Sequence, residues 1–464
     1  MMFDQNNMPK LIQDLGDRIG RDRILTDSDI LDKYSKDETS DLVRVPDMVV
    51  RARTPEEVSD ILRICNQYRI PVTPRGGGTG VTGGAVPVDG GVVISLELMN
   101  RIIEIDSKNM VAVIEPGVIT HAIQKAALEH GLMYPPDPAS LESCSIGGNV
   151  AEGAGGPRAV KYGTTKDYVI GLEFVLPDGS IITTGGKFVK NATGYNLIGI
   201  LLGSEGTLAV ITKIILRLIP APSSTIDLLI PFQSIDEAVE TVCKIIHKKI
   251  VPSTIEFMER DSIKLVSKYL NEEMPFPNSN AHLLVQLDGT SEDDIRNDLV
   301  RLSLCIDNAD DIIVAETKAQ RERIWRARRA IREAIHNEDP IFLAEDTVVP
   351  ISRIPVFLKE VKDYLNSRNL RSVMFGHAGD GNVHIDILKG DMKYEEWKRL
   401  LPELKIAIYK RALKNGGTIT GEHGIGFLRK NYLPLALSPE EIGLLRRIKA
   451  AFDPNMILNP GKLF

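Results

Sequence analysis

The chain has 464 residues, of which 43% are hydrophobic and 26% are charged, and its formal net charge is −7. This length exceeds what a single hydrophobic core ordinarily serves, so we expect two or three domains in a soluble globular protein. The acidic balance argues against a nucleic-acid ligand, because phosphate binding requires concentrated lysine and arginine. No apolar run approaches the roughly 20 residues that cross a membrane, and the N-terminal stretch is too polar for a secretory signal.

The cysteines are few and dispersed along the sequence. They are Cys65, Cys144, Cys243 and Cys305. No C-x-x-C pair occurs, which excludes local iron–sulfur cluster motifs and provides no disulfide framework. We therefore expect a protein of the reducing cytoplasm that associates with a membrane only through a partner.

The first part of the chain predicts short polar helices over residues 9–40. A strand–helix–strand unit follows over residues 47–78, because Thr54, Pro55 and Glu57 supply a cap, a first-turn proline and a capping-box glutamate. Beyond it the sequence is rich in glycine and short β runs, up to a linker at 220–224.

The second part changes pattern. Residues from about 225 to 316 alternate strands and helices in a β-α-β…β-α-β order, which is typical of a ferredoxin-like sheet. The sequence then predicts one long helix over 318–337, strands near 342–349 and 371–388, and a helix over 393–414. The C-terminal stretch predicts a capped helix and an end rich in proline and glycine.

Two of the histidines lie in the stretch "GHAGDGNVHIDI" at 376–387. If Asp380 and Gly381 are the centre of a two-residue turn, His377 lies directly opposite His384 and both point to one side of the sheet. Strand alternation puts Asp386 on the same side as His384. Taken alone, the hairpin is equally consistent with a shared metal ion and with a solvent-facing surface.

Three segments are rich in glycine and small residues. They are "PRGGGTGVTGG" at 74–84, "CSIGGNVAEGAGGPRAVKYGTT" at 144–165 and "KNATGYNLIGILLGSEGTLAVIT" at 190–212. The first is followed by a turn and a strand rather than by a helix, so it is no Rossmann fingerprint. One such loop alone would favour a flexible surface segment, but three between strands indicate an extended cofactor in close backbone contact.

These segments resemble the flavoprotein superfamily of vanillyl-alcohol oxidase and p-cresol methylhydroxylase. The nearer resemblance is to its D-2-hydroxyacid dehydrogenase branch, which includes the catalytic subunit of glycolate oxidase, D-lactate dehydrogenase and D-2-hydroxyglutarate dehydrogenase. It extends from about Asp41 to Phe464. The motifs that carry it are "PRGGGTG", "SIGGNVAEGAGG", "GSEGTLAVIT", "GHAGDGNVH", "GEHGIG" and "LNPGKL".

The resemblance implies an FAD-binding site in the first part of the chain. The implied cofactor-binding residues are Arg75, Gly76, Gly77, Gly78, Thr79, Gly80, Thr82, Gly83, Pro136, Ser143, Gly147, Gly148, Asn149, Gly155, Gly206, Ile211 and Asn459. Residues 76–83 would hold the pyrophosphate, 143–155 would line the flavin, and Ile211 would lie near the adenine or pyrimidine end. Some superfamily members carry a flavin-linked histidine at the position of Thr79, so FAD is expected to be non-covalent here.

The stretch "GGTITGEHGIG" at 416–426 adds Glu422 and His423. On an extended segment these neighbours would point to opposite sides, which suits them to different tasks. Alone, the pair would favour an exposed polar loop. The resemblance implies that His377, His384 and Glu422 bind a divalent metal (Zn, Fe or Mn) and that His423 contacts the substrate as the general base. Hydride would then pass from substrate C2 to flavin N5.

Two arginines of the predicted helix 318–337 have no acidic residue three or four positions away. For Arg328 and Arg332, a tertiary salt bridge or solvent exposure competes with an anion site. The resemblance implies that Arg328 binds the substrate carboxylate, with Arg332 and Asp386 also at the substrate. Asp386 either pairs with an arginine or joins the metal shell. Ala344 stands where the 2-hydroxyglutarate branch has a lysine, which favours a short substrate, although Arg332 leaves a dicarboxylate open.

We therefore expect an α+β protein with a p-cresol methylhydroxylase-type FAD-binding domain, a ferredoxin-like substrate (cap) domain and a C-terminal helical segment. The expected bounds are 1–40 for an N-terminal helical segment, 41–223 for the FAD domain, 224–425 for the cap domain with the metal site, and 426–464 for a segment that packs on the FAD domain.

The predicted activity is oxidation of a short D-2-hydroxyacid, foremost D-lactate. Electrons would pass to an electron-transferring flavoprotein or an iron–sulfur subunit, or else to a quinone or oxygen. The enzyme alternatives are a glycolate oxidase catalytic subunit, a D-2-hydroxyglutarate dehydrogenase and a metallohydrolase that uses the His/His/Glu set without a redox step. The non-enzyme alternative is a flavin-binding assembly subunit.

Overall fold

The computed structural model describes residues 8–39, 41–306 and 312–464. The N-terminal segment predicted at 1–40 therefore falls outside the described residues at 1–7 and at 40. The chain divides into two compact units. The first unit comprises Met1–Gly155, Thr164–Ala221 and Glu422–Phe464, and the second comprises Gly156–Gly163 and Pro222–Gly421.

The α-helices, in chain order, are α1 Met8–Ile19, α2 Ser28–Asp32, α3 Pro55–Tyr68, α4 Thr120–Leu128, α5 Ile146–Glu152, α6 Ala159–Tyr162, α7 Leu197–Leu201, α8 Ile235–His247, α9 Arg260–Leu270, α10 Glu292–Ser303, α11 Lys318–Arg329, α12 Ile331–Glu338, α13 Ile354–Asn366, α14 Tyr394–Lys414, α15 Leu433–Ala436 and α16 Pro439–Phe452. The strands are β1 Ile24–Leu25, β2 Met48–Arg51, β3 Val72–Arg75, β4 Val92–Ser95, β5 Ile102–Asp106, β6 Val111–Ile114, β7 Leu132–Met133, β8 Val169–Val175, β9 Ile181–Gly185, β10 Val210–Arg217, β11 Ile219–Pro220, β12 Ser224–Phe232, β13 Thr254–Glu259, β14 Ala281–Gly289, β15 Ile313–Ala315, β16 Phe342–Val348, β17 Ser372–His377 and β18 Asn382–Leu388.

The described residues of the first unit form three sheets, in the orders β1-β2-β4-β3, β5-β6-β10-β8-β9 and β11-β7. In the first sheet β4 is parallel to both β2 and β3. Helix α3 begins as predicted, since the Thr54 side chain accepts a hydrogen bond from Glu57 N at 3.3 Å. Its buried stripe includes Ile61 and Leu62, which pack in one core with strands β2 and β4.

The glycine-rich run after β3 leads to a strand, as the sequence predicts. Between Arg75, the last residue of β3, and Val92, the first of β4, the chain forms turns and loop without a helix. The loop therefore differs from a Rossmann loop, in which a helix would begin directly after the strand.

The second unit is built on one antiparallel sheet in the order β15-β12-β14-β13-β17-β18-β16. Its first four strands follow the β-α-β…β-α-β order of a ferredoxin-like motif, with α8 and α10 as the two crossing helices. Strands β17, β18 and β16 extend that sheet. Helices α9, α11 and α12 pack on the face that carries Phe375 and Leu284.

The prediction of one helix over 318–337 is wrong in one respect. The chain forms α11 and α12, which are separated at Ala330, where φ is −74° and ψ is −6°. That ψ value departs from the α-helical range, so the helix axis is interrupted there. As a result Arg328 lies in the last turn of α11 and Arg332 in the first turn of α12.

Among the residues that the structure describes, no helix is both long enough and apolar enough to cross a membrane.

Candidate functional site

The hairpin β17–β18 differs from the predicted two-residue turn. The chain pairs His377 with Asn382 and Phe375 with His384, so the turn spans four residues, 378–381. Gly381 N donates to His377 O at 3.1 Å and closes this longer turn. The predicted register is thus wrong by two residues. Because strand side chains alternate with a period of two, this shift keeps both histidines on one face.

The two imidazoles remain neighbours in this register. The ring centroids of His377 and His384 are 5.3 Å apart, with an angle of 85° between the ring planes. One ring nitrogen of His377 lies within 4.8 Å of one ring nitrogen of His384. Both side chains are nearly buried, at 7% and 6% exposure. Two imidazole nitrogens at this separation can bind the same metal ion.

Each histidine has a carboxylate directly opposite on the adjacent strand. Glu256 of β13 is the cross-strand partner of His377, and Asp346 of β16 is the partner of His384. Glu256 Oε1 lies 2.5 Å from His377 Nδ1. Asp346 Oδ1 lies 3.9 Å from His384 Nδ1. The sheet register therefore places one acidic side chain beside each ring.

Glu256 also binds the arginine that the sequence singled out. Its Oε2 accepts hydrogen bonds from Arg328 Nε at 2.8 Å, and Nη2 of the same guanidinium lies 2.5 Å away. Burial acts to raise the pKa of Glu256, but His377 and Arg328 outweigh it and hold the pKa below its ordinary value. Glu256 is thus a charged carboxylate in a fully buried position, with its two oxygens held by different partners.

Arg332 has a buried carboxylate partner as well. Its Nη1 lies 2.8 Å from Asp386 Oδ1, and the Asp386 side chain is 0% exposed. The guanidinium carbons of Arg328 and Arg332 both lie over the Phe375 ring, at 4.9 and 5.9 Å from its centroid. Of the two roles open to Asp386, the structure therefore shows the pairing with an arginine.

Asp346 connects β16 to the segment that leads toward Glu422. Its Oδ1 accepts from Asn382 Nδ2 at 2.6 Å, and its Oδ2 accepts from Gly421 N at 2.9 Å and from Thr420 Oγ1 at 3.0 Å. Gly421 is the last residue of the second unit, and Glu422 follows it directly in the chain. The backbone at the start of the "GEHGIG" motif is therefore anchored by a fully buried aspartate.

The prediction that Glu422 and His423 point to opposite sides is wrong. The backbone bends at 421–423 instead of running extended, and Glu422 Oε1 lies 3.7 Å from His423 Nε2. A bend removes the alternation of an extended segment, so neighbouring side chains can converge. A methyl group built on Gly155, which was predicted to line the flavin, would lie 3.2 Å from Glu422 Oε2.

The buried Glu205 of the first unit binds the remainder of this motif, and Glu152 of the same unit lies beside it. Glu205 accepts hydrogen bonds from Ile425 N at 2.8 Å and from Gly426 N at 2.6 Å. Gly424 has φ +76°, and a Cβ there would lie 2.6 Å from Glu152 Oε2 and 2.8 Å from Glu205 Oε1. Burial raises the pKa of Glu152 well above its ordinary value, and the charges of Glu205 and Asp37 add to the effect.

The predicted FAD segments 76–80 and 143–148 lie against each other in the first unit. Gly77 N donates to Ser145 Oγ at 3.2 Å, and a Cβ on Gly77 would lie 2.6 Å from Ser143 O. A Cβ on Gly76 would overlap Ser145 Oγ, so this part of the loop admits only glycine. A backbone without side chains that meets a second small-residue segment fits a bound pyrophosphate.

The other residues predicted to contact FAD lie in the same unit. Asn459 Nδ2 donates to Gly84 O at 3.0 Å and to Glu205 O at 2.8 Å, and it lies near Gly206. Asn149 Nδ2 donates to Thr120 Oγ1 at 2.7 Å. Among the rest, Arg75 is the last residue of strand β3, Gly147 and Gly148 lie in helix α5, and Ile211 lies in strand β10. The following residues lie in loops: Gly78, Thr79, Gly80, Thr82, Gly83, Pro136 and Gly155.

Four carboxylates were not among the site residues predicted from the sequence: Glu256, Asp346, Glu152 and Glu205. For Glu256 and Asp346 a signal was present, since each lies inside a largely apolar strand, in "STIEFME" and, next to Glu345, in "IFLAEDTVV". A carboxylate in a buried strand requires a polar partner, and its position therefore indicates a site.

Comparison with known proteins identifies the family of the chain. The family description "FAD binding domain" matches residues 46–185, and "FAD linked oxidases, C-terminal domain" matches residues 221–463. The chain is 40% identical to glycolate oxidase subunit GlcD of Bacillus subtilis over 93% of this chain and 92% of that protein. It is 39% identical to D-lactate dehydrogenase of Anaerostipes hadrus over 98% of this chain and 97% of that protein.

The solved structure of p-cresol methylhydroxylase with substrate bound has the same fold. It superposes with a TM-score of 0.81 at 20% identity and covers 99% of this chain and 97% of its own. Fold and sequence thus define an FAD-dependent oxidoreductase. The chain belongs to the FAD-linked oxidase family, in the group of proteins named glycolate oxidase subunit GlcD and D-lactate dehydrogenase. The predicted family, fold class and cofactor FAD are confirmed.

Proposed function

We propose that this protein oxidises a short D-2-hydroxyacid, foremost D-lactate, to the 2-oxoacid with FAD and a divalent metal. The observation that carries the proposal is the buried cluster of the second unit. There, two neighbouring imidazoles are suited to bind a metal, and Arg328 is suited to bind a carboxylate. The side chain of Glu256 contacts both His377 and Arg328 and so joins the two groups. A 2-hydroxyacid offers a hydroxyl and a carboxylate on adjacent carbons, which matches a metal beside an arginine.

The proposed metal ligands are His377, His384 and Glu422. Two imidazoles and one carboxylate suit zinc, iron or manganese and leave positions for a substrate. The support within the second unit is the histidine pair, together with the anchored Gly421, to which Glu422 is covalently joined. A metal held there would lower the pKa of a bound substrate hydroxyl.

The other steps fall to named side chains. Arg328 would bind and orient the substrate carboxylate through the part of its guanidinium that Glu256 does not occupy. His423 would accept the hydroxyl proton, because an imidazole is the side chain best suited to proton transfer at neutral pH and this one adjoins the proposed ligand Glu422. FAD, when bound, supplies the acceptor for the hydride that leaves substrate C2.

A short substrate is supported by the charges around Arg332. The buried carboxylate of Asp386 compensates the Arg332 guanidinium, and Ala344 is the cross-strand partner of Asp386. A second carboxylate on the substrate would therefore meet a buried negative charge and a methyl group. The energetic cost of such an approach disfavours a dicarboxylate.

Electrons would leave the flavin for a separate acceptor. The cysteines lie far apart along the chain and offer no cluster motif, so we propose that an electron-transferring flavoprotein or an iron–sulfur subunit accepts them. The second candidate function is a glycolate oxidase catalytic subunit. The similarity to glycolate oxidase subunit GlcD, which is as high as that to D-lactate dehydrogenase, favours it.

The test is anaerobic bleaching of the bound flavin by a panel of hydroxyacids. The purified protein is mixed with D-lactate, L-lactate, glycolate, D-malate and D-2-hydroxyglutarate, and the flavin absorbance near 450 nm is followed. We expect D-lactate to bleach fastest, L-lactate not to bleach, and the dicarboxylates to be at least ~10-fold slower. Faster bleaching by glycolate would favour the second candidate. No bleaching by any member of the panel would contradict the proposal.

A further inference from the structure

We propose that Glu256 is a positioning residue that sets metal affinity and substrate-anion affinity together. The inference rests on the proposed function, since it concerns the same metal and the same substrate carboxylate. Glu256 contacts one proposed metal ligand and one proposed substrate ligand, and each contact uses a different carboxylate oxygen. A single side chain thus fixes the geometry of both subsites.

The contact with His377 decides which ring nitrogen binds a metal. Glu256 Oε1 engages Nδ1 at 2.5 Å, so Nε2 is the nitrogen through which His377 would bind the cation. A carboxylate on the second nitrogen of a metal-binding imidazole fixes the ring orientation and raises its basicity. The strand register enforces the contact, because Glu256 and His377 are direct cross-strand partners.

The contact with Arg328 decides which guanidinium edge meets the substrate. Nε and Nη2 both approach Glu256 Oε2, so Nη1 is the group that would reach a substrate carboxylate. The arginine side chain is 13% exposed and lies over the Phe375 ring, which limits its alternative positions. Without Glu256 the guanidinium would be a buried cation without its paired anion, which is unfavourable and would favour its displacement.

A purely structural role for Glu256 would lead to a different experimental outcome. If Glu256 only stabilised the sheet, its loss would lower the unfolding temperature and leave the affinities of the folded protein unchanged. If it positions both subsites, metal affinity and KM change together in protein that is folded and carries FAD. The two readouts are independent, because metal affinity is measured without substrate.

The experiment compares Glu256→Gln with wild type and with Glu259→Gln. Glu259 is a suitable control, because it also lies on β13, its side chain is only 13% exposed, and it is bound to a lysine, Lys362, at 2.7 Å. The zinc dissociation constant is measured by chelator competition, and KM and kcat for D-lactate are measured on metal-loaded protein. For Glu256→Gln we expect zinc affinity to fall about 10–100-fold and KM to rise by about 10-fold, with FAD content unchanged. Glu259→Gln should change neither value.

Glu256→Asp keeps the negative charge and the polarity of the site, so it guards against a variant that fails to fold. Its shorter side chain cannot hold both partners, and we expect values between those of wild type and Glu256→Gln. The inference is overturned if folded Glu256→Gln or Glu256→Asp retains wild-type zinc affinity, or if only one of the two quantities changes. Failure of the proposed function is distinct, since it would be seen in the wild type as an absence of metal binding or of turnover.

Discussion

Single residues of the second unit show how buried charge is organised around the candidate site. Arg328 and Arg332 were selected as candidate site residues because neither has an acidic residue three or four positions away in its helix. Both form ion pairs with carboxylates of the sheet. The partners lie 72 and 54 positions away in sequence, so no local pattern could pair them. Only the register of the sheet brings Glu256 to His377.

His282 gives a prediction for the pH dependence of stability. Burial lowers the pKa of His282 to about 4, although the backbone carbonyls of Pro275 and Phe276 act in the opposite direction. In the unfolded chain its pKa is about 6.5, so the unfolded state takes up more protons between these values. The contribution of His282 to the free energy of unfolding should therefore be complete above pH ~6.5. As the pH falls toward ~4, the free energy of unfolding should decrease by up to about 3 kcal/mol on account of this group.

Chemical denaturation at pH 5 and pH 7.5 checks this expectation. His282→Leu should reduce the difference between the two pH values by about 1–2 kcal/mol, because the buried titrating group is gone. His247→Gln, which removes an imidazole from an exposed position of α8, should leave the difference as in wild type. An unchanged difference in His282→Leu would show that His282 does not carry the effect.

The elements were predicted more accurately than their pairing. The ferredoxin-like strand order, the capped helix α3 and the glycine loop without a helix follow from apolar periodicity and capping residues. The β17–β18 hairpin was predicted with a register that is wrong by two residues, because Asp-Gly signals a turn without fixing its length. Here Asn382 N donates to Asp380 Oδ1 at 3.1 Å inside a four-residue turn.

Gly381 should be essential to this hairpin. Its φ is +87°, and a Cβ would overlap the carbonyl oxygen of Val349. Gly381→Ala should therefore lower the free energy of unfolding by about 2–3 kcal/mol. Gly390 is a matched control with φ +59° and no atom within 4 Å of a built Cβ, and Gly390→Ala should cost about 1 kcal/mol. Equal losses in the two variants, measured by urea denaturation, would contradict the role of the Val349 contact.

At the scale of the whole molecule, the predicted FAD-binding function agrees with the family matches, which assign residues 46–185 to an FAD-binding domain and residues 221–463 to a C-terminal domain of FAD-linked oxidases. The three glycine-rich segments carried most of this information, since close backbone contact requires glycine wherever it occurs. The bend at 421–423 could not be predicted, because the hydrogen bond from Gly421 N to Asp346 joins residues that are 75 positions apart in sequence.

The proposed function requires that the protein oxidise a D-2-hydroxyacid only when a metal is bound together with FAD. The most direct measurement is anaerobic flavin bleaching by D-lactate in wild type and in His384→Ala, before metal removal with a chelator, after it, and after zinc or manganese is added back. We predict that removal slows wild-type bleaching at least ~100-fold, that added metal restores it, and that His384→Ala keeps FAD but neither binds metal nor bleaches. Metal-free wild-type protein that bleaches at the full rate would contradict the account.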